Sequence, residues 1–128
     1  MRVLLDTHAF LWTAADAPEL GREARRCWLD PATCPLLSVA SVWEMAIKAG
    51  LGKLRLDMPL DELVAQGIEG QGIALLPIDL SHALAVRTLP LHHRDPFDRL
   101  LAAQALAEKV PILSADDTFD RYGVKRIW

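Results

Sequence analysis

Cysteine is nearly missing from this chain: there are two, Cys27 and Cys34, in 128 residues. They form no C-x-x-C motif and there is no second pair, so neither a zinc knuckle nor a dithiol redox site is expected. Two thiols in a chain of this size suit a reducing cytoplasm. Long apolar runs are missing as well, and no stretch approaches the roughly 20 residues a membrane-spanning helix needs. The opening residues, Met1-Arg2-Val3-Leu4-Leu5-Asp6, reach a carboxylate at once and leave no apolar signal region. Nor is there an excess of positive charge: 14 Lys and Arg against 17 Asp and Glu give a net charge of −3. That balance argues against a protein that coats nucleic acid by charge alone. It leaves room for a nuclease, because bound cations compensate a local acidic cluster. The basic sets Arg22/Arg25/Arg26, Lys48/Lys53/Arg55 and Arg121/Lys125/Arg126 read as solvated faces rather than an RNA track.

Two common catalytic signatures are also absent. Without a G-x-S-x-G elbow, acyl transfer through serine is set aside. Without H-E-x-x-H or a Cys/His spacing, His8, His82, His92 and His93 read as packed or exposed side chains rather than ligands, although His92 and His93 stand close to Asp95.

What the sequence has is hydrophobic content, 52% of residues, ample for a core in one domain over residues 1–128. Short apolar runs at Val3–Leu5, Pro35–Ser38, Ile73–Ile78 and Val110–Leu113 read as buried strands, with Lys125–Trp128 as a fifth. Helical patterns fall between them, at Thr7–Ala15, Glu19–Asp30, Val39–Lys48, Pro59–Ile68, Ser81–Thr88 and Pro96–Glu108. Gly67, Gly70 and Gly72 read as a plain loop. Alternating strands and helices predict a three-layer α/β/α sandwich around a mostly parallel sheet.

Four acids sit where such a fold could use them. Asp6 ends the first strand and Asp116 follows the fourth, and ligand sites in open parallel sheets lie beyond the carboxyl ends of strands. Each also has a local explanation as a helix cap. Glu44 ends a Ser41-Val42-Trp43-Glu44 capping box, or is free if the helix starts near Val39, and it precedes Lys48 by four residues. In Asp95-Pro96-Phe97-Asp98 the first acid is a natural cap and the second favours the positive end of the helix. Taken together, the acids offer hard oxygen ligands for a divalent cation, which can activate water and polarise a phosphoryl oxygen.

Four segments in order carry a resemblance: Leu4-Leu5-Asp6-Thr7-His8 with Leu11-Trp12, SVASVWEMAIKAGLGKL from Ser38 to Leu54, HHRDPFDRLLAAQA from His92 to Ala105, and ILSADDTFDRY from Ile112 to Tyr122. They resemble the PIN-domain family, in particular the VapC-like toxins of type II toxin–antitoxin pairs. The resemblance implies a PIN-like α/β/α fold and a Mg²⁺- or Mn²⁺-dependent endoribonuclease. It implies that Asp6, Glu44, Asp98 and Asp116 are catalytic and hold the metal, with Asp117 and Asp120 as alternatives to Asp116. It assigns support to Thr7, beside the first acid, to Ser38 or Ser41 near Glu44, and to Asp95. It implies an RNA substrate, a homodimer, and a small antitoxin whose segment lies in the active-site groove. Exposed apolar residues such as Trp12 and Trp43 would suit such a partner, but core burial is the expectation for Trp43.

Two other functions compete. A haloacid-dehalogenase-like phosphatase also places an Asp after its first strand, but its D-x-D motif is broken here by His8. A PIN-like binding or assembly module needs no chemistry, and the presence of all four acids weakens that reading.

Overall fold

The computed structural model describes residues 1–128. Five strands form one sheet: β1 (Arg2–Leu5), β2 (Cys34–Ser38), β3 (Ala74–Leu76), β4 (Ile112–Leu113) and β5 (Arg126–Ile127). Seven α-helices surround it: α1 (Thr7–Ala14), α2 (Arg22–Leu29), α3 (Val39–Gly50), α4 (Leu60–Gln71), α5 (Leu80–Ala85), α6 (Pro96–Glu108) and α7 (Thr118–Arg121). The strand order is β3-β2-β1-β4-β5 and every pairing is parallel. The chain therefore winds outward from β1 through β2 to β3, then crosses back to lay β4 against the free side of β1. That reversal creates a switch point between the carboxyl ends of β1 and β4, where open parallel sheets leave a crevice.

Parallel sheets need cover on both faces, because their crossovers are helices. Side chains alternate across each strand, and the core divides accordingly. Leu4, Leu36, Leu76 and Ile112 face one cluster with Leu101, Ala102 and Ala105 of α6 and with Phe119 and Tyr122. Val3, Leu5, Leu37 and Leu113 face the other, with Phe10 of α1, Ala24 of α2 and Met45 of α3. The expected three-layer α/β/α architecture is thus present, with a sheet that is wholly parallel. None of the helices is long and apolar enough to cross a membrane.

Several local expectations shift. The Gly67-Gly70-Gly72 cluster is not a loop: α4 runs through the first two and stops at Gly72, whose φ of 70° provides the left-handed C-cap. Inside the helix, a Cβ at Gly67 would come within 3.2 Å of the Phe10 and Ile73 side chains, which would have to shift by a few tenths of an ångström. β3 is shorter than Ile73–Ile78, since Pro77 can donate no ladder hydrogen bond. The Ser81–Thr88 helix divides into α5 and a 3₁₀ turn at Val86–Thr88. The one-turn helix α7 was not foreseen; four residues are too few to show a periodicity.

Trp43 is the clearest departure, being 57% exposed instead of buried. The buried positions of α3 are Ala40, Ser41, Glu44 and Met45, which leaves Trp43 outward. There it meets the Phe97 ring edge-on at 5.2 Å. Trp12 is half-buried, stacked against His8 and tilted against Trp128.

Candidate active site

Asp6 is the first residue beyond β1, and its backbone N–H still donates to the Leu113 carbonyl of β4. Its carboxylate also caps α1, with Oδ1 accepting from the Ala9 N–H at 2.7 Å. The strand-end and capping explanations therefore hold together: the cap fixes the carboxylate at the switch point. Burial pushes the Asp6 carboxyl above its usual range, against hydrogen bonds from the Ser114 side chain and the Ala9 backbone, and the nearby charge of Asp116 adds to the rise.

Glu44 is not part of a capping box. α3 begins at Val39 with Ser38 as its N-cap, so Ser41 already lies inside the helix. Both Glu44 oxygens are engaged: Oε1 accepts from the Thr7 hydroxyl at 2.6 Å, and Oε2 from the Lys48 ammonium at 2.5 Å. Lys48 gains proton affinity mainly from that bond, and also from the charges of Asp95 and Asp98. A cation one turn away thus balances an acid that is otherwise buried.

Asp95 caps α6. Its Oδ1 accepts from the N–H groups of Phe97 and Asp98 at 2.8 and 3.4 Å, and Pro96 opens the helix. This cap delivers Asp98 into the site. Burial first, then the charges of Asp95, Asp6 and Glu44, raise the Asp98 carboxyl to about 7. Desolvation and like charge act in the same direction, both opposing ionisation.

Of the three acids after β4, Asp116 stands with this group. Its Oδ1 accepts from the Thr118 N–H at 2.9 Å, and its Oδ2 meets His93 Nε2 at 2.8 Å. Burial raises its carboxyl, but the hydrogen bonds from Thr118 and His93 outweigh that and the net shift is downward. Asp117 is exposed, and Asp120 is turned to the Arg126 guanidinium.

The remaining candidates differ in placement. Thr7 bonds Glu44 directly. Ser38 faces elsewhere: its Oγ accepts from the Ala40 N–H and donates to Gln104 Oε1, in a buried chain that continues to His82. Ser41, three residues before Glu44 and so on the same helical face, has a buried hydroxyl with no partner. Arg99, one of the two arginines flanking the DPFD unit, binds the Pro90, Val86 and Leu89 carbonyls and so braces the preceding loop. Arg94 is exposed.

His93 is the residue that sequence reasoning missed. Its Nε2 lies 2.8 Å from Asp116 Oδ2 and 3.1 Å from Asp98 Oδ2, between two of the four acids. The only signal in the sequence was its position two residues before Asp95.

The family model of the PIN domain matches residues 3–125. The chain belongs to the PIN domain family. No curated protein matches its sequence. Among solved structures, this PIN domain is similar to VapBC2 from Rickettsia felis, crystallised with a DNA fragment from its promoter, at 12% identity and a TM-score of 0.71 over 100% of each chain. It is similar to FitAcB from Neisseria gonorrhoeae at 20% identity and a TM-score of 0.62, over 97% of this chain and 95% of that one. It is also similar to a toxin–antitoxin complex from Klebsiella pneumoniae at 14% identity and a TM-score of 0.57, covering 90% and 87%. At such identities these likenesses show a common fold for this PIN domain.

Proposed function

We propose that residues 1–128 form a single PIN unit that works as a metal-dependent endoribonuclease, the toxin of a toxin–antitoxin pair. The observation that carries this reading is geometric: Asp98 Oδ2 and Asp116 Oδ2 lie 3.1 and 2.8 Å from one His93 nitrogen, and burial with the charges of Asp95, Asp6 and Glu44 raises the Asp98 carboxyl. Acids drawn from β1, α3 and α6 crowd one another at a cost that a cation would relieve. The donors fit a hard divalent ion, since they are carboxylate oxygens with hydroxyls beside them and no thiolate. The unpartnered Ser41 hydroxyl agrees with a pocket that expects a further oxygen or water.

Asp6, Glu44, Asp98 and Asp116 would hold Mg²⁺ or Mn²⁺. When bound, such an ion lowers the pKa of its water and polarises a phosphoryl oxygen. The chain's own part is preorganisation. The Ala9 N–H aims Asp6, the Thr7 hydroxyl and Lys48 aim Glu44, the Asp95 cap aims Asp98, and the Thr118 N–H aims Asp116. Phosphodiester hydrolysis by this route needs no covalent nucleophile from the protein.

The family supports the partner assignment: RNA as substrate, a small antitoxin segment in the groove, a homodimer and a cytoplasmic setting. The solved complexes named above, one of them a toxin–antitoxin complex by name, support the antitoxin partner. A defined RNA incubated with and without Mg²⁺ or Mn²⁺, and mapped to the nucleotide, tests the activity. Cleavage that needs the ion and disappears in Asp6→Asn and Asp98→Asn is expected; cleavage unchanged in both variants would overturn the assignment.

A silent binding module is the second reading, favoured by one observation: Glu44 already has an internal cation in Lys48. Calorimetry with Mn²⁺ separates the two. A silent module takes up no metal through Asp6 and Asp98.

A further inference from the structure

His93 stands among the acids, held through its backbone and through both ring nitrogens. Its backbone N–H donates to the Tyr122 hydroxyl at 2.8 Å, and Tyr122 is anchored in the core beside α6. Its Nδ1 accepts from the Asp95 N–H at 3.1 Å. Its Nε2 reaches Asp116 at 2.8 Å and Asp98 at 3.1 Å. A backbone N–H can only donate, so Nδ1 must offer a lone pair. The proton of the neutral ring then sits on Nε2 and is donated to Asp116, with Asp98 Oδ2 3.1 Å from the same nitrogen. A nitrogen that carries a proton has no lone pair for a metal. The cluster of His93, Asp98 and Asp116 has the spacing of a metal site, but its imidazole has the polarity of a donor.

We propose that His93 is a positioning residue of this site: through Nε2–H it holds the Asp116 carboxylate beside that of Asp98, and it does not ligate the ion. The proposal rests on the metal-dependent reading above. The physical need is plain. Two carboxylates at the end of different elements repel each other, and an N–H between them offsets the repulsion without adding a cation that would compete with the ion. Partners of this kind that orient ligating groups typically change metal affinity by roughly 10- to 100-fold when removed.

The same device recurs elsewhere in the chain. His82 Nδ1 accepts from the Asp79 N–H at 3.0 Å, which leaves Nε2–H for Glu108 at 3.3 Å. That cluster also has metal-like spacing, and by the same donor logic it serves as a partly buried tie between α5 and α6.

The test uses the full chain, with Mn²⁺ as the probe. Calorimetric titration of the wild type, His93→Phe and His93→Gln should show affinity falling about 10- to 100-fold in His93→Phe, with the circular dichroism spectrum retained. His93→Gln, whose amide N–H reaches a similar distance, should recover most of the loss. Pulsed electron paramagnetic resonance of the Mn²⁺-loaded wild type should show no directly bound ¹⁴N. A bound imidazole nitrogen, a His93→Phe variant that binds Mn²⁺ as tightly as the wild type, or a His93→Gln variant no better than His93→Phe would each overturn the proposal alone. A wild type that takes up no Mn²⁺ would overturn the metal-dependent reading and this proposal with it.

Discussion

Replacing Asp98 by Asn should stabilise the metal-free protein at neutral and alkaline pH. The folded carboxyl ionises only near 7, against an ordinary value of 3.8, because it is buried and faces Asp95, Asp6 and Glu44. Between about pH 4 and pH 7 the folded state therefore binds more protons than the unfolded chain, and its stability falls as pH rises through that window. Below the window the penalty is absent; above it the penalty is complete. At about 1.4 kcal/mol for each tenfold change in proton affinity, the full penalty is about 4 kcal/mol. The side chain is 21% exposed, so residual solvation reduces this, and a gain of about 2–4 kcal/mol for Asp98→Asn is expected at pH 8. Asn keeps a carbonyl oxygen for His93, so little is lost in exchange. Urea unfolding with EDTA, at pH 4 and pH 8, measures the difference directly. An Asp98→Asn protein no more stable than the wild type at pH 8, or one with the same gain at both pH values, would refute the reasoning. With excess Mn²⁺ the order should reverse, because only the intact acid set gains from binding.

Other consequences can be measured with the same protein. Mn²⁺ at about 100 times its dissociation constant should stabilise the wild type by about 2.7 kcal/mol, and Asp6→Asn should abolish most of that gain in a thermal melt. Thr7→Val deprives buried Glu44 of its hydroxyl donor and should cost about 1–3 kcal/mol in urea unfolding at pH 7. Gln104→Leu removes the acceptor of the Ser38 hydroxyl and the donor to the Pro77 carbonyl, with an expected loss of about 1–3 kcal/mol. Trp43→Ala should change stability by less than about 1 kcal/mol despite the size of the residue, since the ring is exposed and rests only edge-on against Phe97; a loss near 3 kcal/mol would mean that the ring is buried after all.

Much of the fold was legible because local pattern and tertiary need coincide. Val3–Leu5 and Pro35–Leu37 are apolar on both faces, as strands sandwiched between helix layers must be. Asp95-Pro96 announces the start of α6 through cap chemistry that operates within four residues. The acid after β1 was legible for the same reason, as a carboxylate ending an apolar run. Where local signals conflicted, sequence could not decide. Ser41-x-x-Glu44 imitates a capping box, but Ser38 lies three residues earlier and the helix took the earlier cap. Gly67 looks like a helix breaker, yet it lies inside α4 in close approach to Phe10 and Ile73. Trp43 looks like core by composition, but which side of α3 is buried depends on where α6 and the sheet lie.

By itself the sequence determined most of the elements, their alternation, the oxygen-rich character of the candidate site and, through four short segments, the family. Tertiary structure alone decided that Asp116, rather than Asp117 or Asp120, joins the other acids, and that His93 stands between Asp98 and Asp116 as a donor. The physical reason is the return of the chain to β1. A periodicity or a cap is written within a few neighbouring residues. Which remote loops meet at the crevice depends on β4 pairing with β1, and that choice is made by the packing of the whole sheet.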